Sequence, residues 1–230
     1  MLSNNLHPED NMISIEHDNT LHITHLSDQA IHDLAPSFSK LPHTEHSDGQ
    51  FRLRRYSVIQ FLDDGIVNTG QQEFIQTEHY NHYQGGIKRH FEPILTETLK
   101  SDGMRELCDI FVAMNHLPNG QQIEIHQMRI ETVFDETPVS PEGVHQDGFD
   151  CIAMIGIDRH NVVGGELMLY DHHDDAPFYR RILANGEIAM LADDRLWHNA
   201  SPIRSIQKNN EGYMDVFVLT ANRDISFYHS

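Results

Sequence analysis

Hydrophobic positions along this chain alternate or recur in short blocks, and most blocks have the length of a strand. Thr20-Leu21-His22-Ile23-Thr24 alternates as a strand does. Ser27 then caps a segment whose Leu26, Ala30, Ile31, Leu34 and Phe38 share one helical face, ended by Pro42 and the His46-Ser47-Asp48-Gly49 cluster. Phe51 to Ile59 reads as a strand that carries Arg52, Arg54 and Arg55. Met104 to Leu117 is the clearest helix, with Leu107, Ile110, Phe111 and Met114 on one face and Pro118 as its stop. After the Asn119-Gly120 turn signal, Ile123 to Ile130 alternates strictly. Ile123, Ile125, Gln127 and Arg129 share one face, and Glu124, His126, Met128 and Ile130 the other. The face that mixes Ile with Gln and Arg fits the polar floor of a barrel interior, or an edge strand.

Further on, residues 132–142, with Pro138 and Pro141, read as a loop and a candidate lid. Three strands are expected next, in Cys151 to Ile157, Gly164 to Tyr170 and Gly186 to Leu191. Tyr213 to Thr220 is apolar on both faces, which places it centrally in a sheet. The pattern predicts a mainly β protein with flanking helices and jelly-roll architecture. Residues 1–19 are polar and aperiodic, so a flexible arm is expected there, followed by a single domain over 20–230.

Charge and cysteine usage narrow the partners. Lys and Arg number 16 against 35 Asp and Glu, a formal charge of −19, which argues against a phosphate-backbone partner and hence against nucleic acid. No apolar run has the length of a membrane span, and the polar start Met1-Leu2-Ser3-Asn4-Asn5 lacks the pattern of a signal peptide, so a cytoplasmic protein with no membrane partner is expected. Cys108 and Cys151 lie in apolar patterns and read as reduced core thiols. A homodimer is compatible with the sequence, which does not fix the oligomeric state.

The candidate chemistry lies between His145 and His198. His145 and Asp147 are two apart at the mouth of an apolar strand, so their side chains point the same way, and His198 sits in a second strand-end context. Two imidazoles and one carboxylate form the donor set of a facial triad that leaves metal positions open. The spacing alone does not separate a metal site from coincidence. There are 18 histidines, and His46/Asp48, His172/Asp174 and His173/Asp175 repeat it in polar surroundings that read as solvated loops.

Several further pieces carry a resemblance. They are Arg52-x-Arg54-x-Tyr56-Ser57, Tyr80-Asn81 with Gly85-Gly86 and Arg89-x-Phe91, His126-Gln127-x-Arg129, His145-x-Asp147, Gly164-Gly165-Glu166, His198-x-x-Ser201-Pro202 and Asp215-Val216. In this order, over about residues 20 to 222, the chain resembles the bacterial Fe(II)/2-oxoglutarate dioxygenases that hydroxylate free L-amino acids, the L-isoleucine dioxygenase group. The resemblance implies a double-stranded β-helix, the jelly roll of the cupins, with Fe(II) held by His145, Asp147 and His198. It implies 2-oxoglutarate as cosubstrate and O2 as oxidant, with succinate and carbon dioxide released. Such chemistry asks the protein mainly for positioning.

One departure matters. In that group an arginine commonly precedes the Asp-Val pair of the last strand, and here Met214 stands there. A thioether cannot replace an arginine fork on a carboxylate, so Arg129 and Arg204 become the candidates for 2-oxoglutarate, with Gln127 beside Arg129. Arg52, Arg54 and Tyr56 are the substrate-binding candidates for the carboxylate of an amino acid. Glu124, Asp150 and Glu166 are candidates for its ammonium. Two other readings compete with the hydroxylase: a catalytically silent metal-binding jelly-roll module, and a metal enzyme with a different cosubstrate.

Overall fold

The alternating segments pair into a seven-stranded antiparallel sheet that is covered by helices on one face and by smaller sheets on the other. The computed structural model describes residues 20–81 and 83–223. The arm expected over 1–19 lies outside the described residues. In chain order the strands are β1 (Leu21–His25), β2 (Arg52–Leu62), β3 (Gly65–Asn68), β4 (Glu73–Phe74), β5 (Arg89–His90), β6 (Gln121–Glu131) and β7 (Cys151–His160). They continue with β8 (Val162–Gly164), β9 (Leu167–Tyr170), β10 (Tyr179–Arg181), β11 (Glu187–Leu191), β12 (Trp197–Ala200), β13 (Ile203–Ser205) and β14 (Tyr213–Ala221). The α-helices are α1 (Asp28–Leu34), α2 (Thr96–Leu99) and α3 (Asp102–Met114).

The large sheet runs β1-β11-β7-β14-β6-β2-β3, and facing it are β10-β9-β12 and the pair β13-β8. This is the two-sheet, antiparallel jelly-roll arrangement that the strand pattern predicts. Strand β14 lies between β6 and β7, which is why both of its faces are apolar. Among the described residues no helix is long and apolar enough to cross a membrane.

Helix α1 starts at the cap that the sequence places, and α3 starts two residues before the expected Met104, at a cap on Ser101. The Ser27 hydroxyl accepts from the Ala30 backbone N–H at 3.1 Å, and the Ser101 hydroxyl does the same for Met104 at 3.1 Å. Their apolar faces then pack on the sheet: Leu34, Phe38, Leu107 and Phe111 meet Ile123, Ile125, Ile155 and Phe217. Phe38 and Phe217 meet edge to face with ring centroids 4.9 Å apart. Cys108 and Cys151 are both buried and unpaired, and burial pushes their thiols up to about 12 and about 11, so both stay protonated.

The position of the helical layer corrects one expectation. Because Ile123 and Ile125 face the helices, Gln127 and Arg129 do too, and neither lines the interior between the sheets. Gln127 donates to the Ser37 hydroxyl at 2.6 Å. Arg129 binds its register partner Asp215 through Nε and Nη2, both at 2.7 Å, with its guanidinium 3.8 Å from the Tyr213 ring centroid. Strand alternation says which residues share a face but not which face is inside. The cavity face of β6 is the other one, with His126, Met128 and Ile130.

Asp215 is buried, and burial pushes its carboxyl up to about 6 against the pull of Arg129. An acid whose folded value lies above its unfolded 3.8 loses stability as pH rises between the two, and Arg129 limits that loss. Arg129→Met is therefore expected to destabilise the fold by roughly 3 kcal/mol at neutral pH. The deficit should shrink as pH falls through 6 towards 4, where Asp215 is protonated in the folded form of either protein and no longer needs the cation. Urea unfolding of both proteins across pH measures this, and a deficit independent of pH would refute it.

Candidate metal centre and cavity

Between the sheets lies a cavity, and the three candidate ligands meet in its wall. His145 and His198 come from distant segments but form an isolated antiparallel bridge. The N–H of each donates to the carbonyl of the other at 2.9 Å. That bridge sets the rings side by side, with centroids 4.2 Å apart. Asp147, two residues along, completes the group: its carboxylate lies 3.8 Å from His145 Nε2 and 3.4 Å from His198 Nε2. One ligand atom from each residue falls within 4.8 Å of the others. Two imidazoles and a carboxylate converging at one point are the donor set of a 2-His-1-carboxylate iron site, so the residues fit the metal.

Further contacts aim each ligand. His145 Nδ1 donates to the Gly143 carbonyl at 2.9 Å, which leaves Nε2 with its lone pair towards the centre. Gln76 donates to Asp147 Oδ1 at 2.8 Å. The Gln76 oxygen in turn accepts from Asn81 at 2.8 Å and from Arg89 Nη2 at 3.1 Å. Gly85 is needed in this loop because a Cβ there would lie 2.2 Å from the Asn81 carbonyl oxygen.

Asp193 holds the opposite side. Its carboxylate accepts from the backbone N–H groups of Asp147, Gly148 and Phe149 at 2.9, 2.8 and 3.2 Å, and lies 3.4 Å from His198 Nδ1. Burial alone would lower the basicity of His198, but Asp147 and Asp193 outweigh it and raise its imidazole to about 10. For Asp147 burial opposes ionisation, and the imidazoles around it win and hold its carboxyl well below the usual range. Without a metal the cluster is an ionised Asp147 beside a protonated His198, and His198 must release its proton before Nε2 can hold a cation.

Cations surround the rest of the cavity. Of the candidates on β2, Arg52 and Arg54 line it. Arg52 is ion-paired with Asp48 at 3.1 Å and donates to the Val139 carbonyl. Arg54 is 6% exposed and lies over the Phe91 ring, 5.0 Å from its centroid, and among the described residues it has no carboxylate at ion-pair distance. Burial first, and then Arg52 and Arg89 nearby, lower its guanidinium to about 9. His126 is also buried against the cavity with Nδ1 unpartnered, and burial and the neighbouring arginines keep it neutral.

Other expectations are redirected. Tyr56 is fully buried and donates to Glu124 at 2.6 Å, so it backs the wall and does not line the cavity. Arg204 is exposed on β13 and does not reach the cavity. Glu166 is half-buried outside the cavity lining and lies 3.7 Å from Arg180, and Asp150 accepts from the Arg223 backbone at 2.7 Å. His172, His173, Asp174 and Asp175 are exposed, as solvated loop residues should be. Asp48 is the exception among the His-x-Asp copies, because its pairing with Arg52 buries it. The 132–142 loop borders the cavity through Val139, Ser140 and Glu142.

Sequence reasoning passed over Gln76, Glu142, Asp193 and Arg159, all placed by tertiary contacts. Only for Asp193 was there a local signal, an acidic turn just before the His198 strand.

Comparisons with known proteins agree with this geometry. The family described as 2OG-Fe dioxygenase matches residues 35–220. A solved bsmA homolog from Methylobium petroleophilum PM1 is 28% identical over 85% of this chain and 81% of its own, with a TM-score of 0.71. IDO from Bacillus thuringiensis aligns over 89% of this chain and 90% of its own at 13% identity, with a TM-score of 0.70. The Fe(II)/(alpha)ketoglutarate-dependent dioxygenase TqaL covers 86% of this chain and 76% of its own at 14% identity and a TM-score of 0.62. At such identities the last two establish the fold alone. No curated protein sequence matches the chain.

Alanine at His145, Asp147 or His198 is expected to abolish tight Fe(II) binding while leaving the far-UV spectrum unchanged. Asp193→Ala should weaken Fe(II) by about ten- to a hundredfold, the usual effect of removing a carboxylate behind a metal-bound imidazole. Anaerobic Fe(II) titration measures both, and wild-type affinity in His198→Ala would refute the centre.

Proposed function

Because the chain belongs to the 2OG-Fe dioxygenase family, which works with Fe(II), 2-oxoglutarate and O2, we propose that it hydroxylates a free aliphatic L-amino acid. The observation that supports this substrate class is Arg54. Asp48 and Glu142 favour its charge from a distance, but burial outweighs them, and a buried guanidinium with no carboxylate in direct contact is relieved when an anionic ligand enters. The α-carboxylate of an amino acid is such a ligand.

Glu142, rather than the acids expected from the sequence, is positioned for the ammonium. It lines the same cavity, and its Oε1 lies 3.4 Å from His145 Nε2. Phe74, Met128, Val216, Val218 and Leu183 provide an apolar wall for an aliphatic side chain.

In this reading His145, Asp147 and His198 hold the iron, and Gln76 and Asp193 fix the orientation of those ligands. When bound, iron and 2-oxoglutarate supply the oxidising power: one oxygen atom of O2 enters a substrate C–H bond and the other enters succinate as carbon dioxide leaves. The protein's share is geometric. Arg54 and Glu142 fix the two charged ends of the substrate, so one carbon of the side chain is presented to the metal. The apolar wall excludes water that would compete for the oxidant.

Protein supplied with Fe(II), ascorbate and 2-oxoglutarate is expected to release succinate, and isoleucine, leucine or methionine should stimulate the release with a product one oxygen heavier. Arg54→Met should raise the amino-acid KM by about ten- to a hundredfold, the loss of one charge-assisted hydrogen-bonded pair. Mass spectrometry of a panel of free, acylated and peptide-linked residues provides the check. Turnover confined to acylated or peptide-linked substrates would overturn the free-amino-acid reading.

A further inference from the structure

Four arginines line the cavity, Arg52, Arg54, Arg89 and Arg159. Arg52 is taken by Asp48, and Arg89 by the side-chain oxygens of Gln84 and Gln76. Arg159 near the end of β7 is different. Among the described residues it has no carboxylate at ion-pair distance, and its Nη2 donates to one backbone carbonyl, that of Gly164, at 2.6 Å. Its Nη1 lies 3.9 Å from the sulfur of Met214, its register partner on β14.

The surroundings of Arg159 are a built seat. Gly165 adopts φ +69°, and a Cβ on it would lie 2.9 Å from the Met214 sulfur and 3.1 Å from Arg159 Nη1. The absence of that carbon makes the room in which the guanidinium rests. The seat also has a fixed relation to the metal ligands. Gly164 pairs with Ile203 and the Gly165 N–H donates to the Ser201 carbonyl at 3.2 Å, so the segment leading on from His198 through Ala200 ends beside Arg159. Two residues of strand span roughly 7 Å, comparable with an extended five-carbon dicarboxylate. Ile130 and Ala200 line the same cavity as Arg159 and offer apolar surface to the methylene groups of such an acid.

We infer that Arg159, through a seat formed by Gly164, Gly165 and Met214, binds the distal carboxylate of 2-oxoglutarate. Arg54 is left for the substrate carboxylate. The inference concerns the cosubstrate alone and does not depend on which substrate is hydroxylated. Guanidinium and carboxylate pair through two parallel hydrogen bonds, and Arg159 Nη1, which here meets only the weak sulfur acceptor of Met214 at 3.9 Å, can turn to a carboxylate. The low-dielectric wall strengthens the pair relative to water.

The test is an anaerobic titration of the Fe(II) protein without amino acid, read by isothermal calorimetry and by the visible band that forms when a 2-oxo acid chelates the iron. 2-Oxoglutarate is compared with 2-oxopentanoate, which lacks the distal carboxylate. Wild type is expected to prefer 2-oxoglutarate, and Arg159→Met should weaken it by about ten- to a hundredfold while leaving 2-oxopentanoate unchanged. Moving the cation across the register pair, in the double variant Arg159→Met with Met214→Arg, should restore much of the preference. If Arg159→Met does not fold, Arg159→Gln is read by the same ratio of the two acids. Undiminished preference in the Arg159 variants, or its loss in Arg54→Met instead, would overturn the assignment.

Discussion

One buried carboxylate, that of Asp193, holds the centre together. It accepts from three consecutive backbone N–H groups in the turn that carries Asp147, and its other neighbour is the His198 ring. A buried carboxylate must be satisfied from all sides, so the turn and β12 cannot separate without leaving it stranded. The bridge between His145 and His198 fixes the backbone distance, and Asp193 fixes the direction of what lies beyond it. Gln76, held in turn by Asn81 and Arg89, fastens the free oxygen of Asp147 from a third element. Three ligands from two distant segments are thereby set in place by contacts that do not involve a metal.

The same economy governs the cations. A chain with 35 acidic residues against 16 basic ones places four arginines around one cavity. Two of them are engaged by partners and hold loops in place, Arg52 by its ion pair with Asp48 and Arg89 by hydrogen bonds to uncharged glutamine oxygens. Among the described residues Arg54 and Arg159 have neither an ion pair nor a side-chain oxygen acceptor, and they stand on strands β2 and β7 of the large sheet, with β6 and β14 between them. Burial disfavours the charge on both, and that cost is offset only when anions arrive. Two uncommitted cations in separate parts of one cavity suit a reaction in which two carboxylates are held around one metal.

Burial by helices explains why Arg129, so prominent in the sequence, stands outside this arrangement. Its fork is saturated by Asp215 on the helix-covered face of the sheet, where it compensates an acid that burial would otherwise neutralise. Its role is to stabilise β6 against β14, next to the cavity but facing away from it.

The sequence by itself determined the longer strands, the cap at Ser27 and the central place of β14, because these depend on residue periodicity and nearest neighbours, whereas short strands such as β3, β4, β5, β10 and β13 are too brief to show a period. It also brought His145, Asp147 and His198 forward as candidate ligands, through the ordered motifs of a resemblance and not through a spacing that recurs elsewhere in the chain. What it could not decide was the face of β6 that looks inward, because alternation is symmetric until a helical layer covers one side. Nor could it find Asp193, Gln76, Glu142 or Arg159, whose positions depend on contacts between segments far apart in the chain. Which arginine is free is a property of pairing. Arg54 and Arg129 look alike along alternating strands, and only the tertiary structure gives one a direct ion pair with Asp215 and leaves the other with none among the described residues.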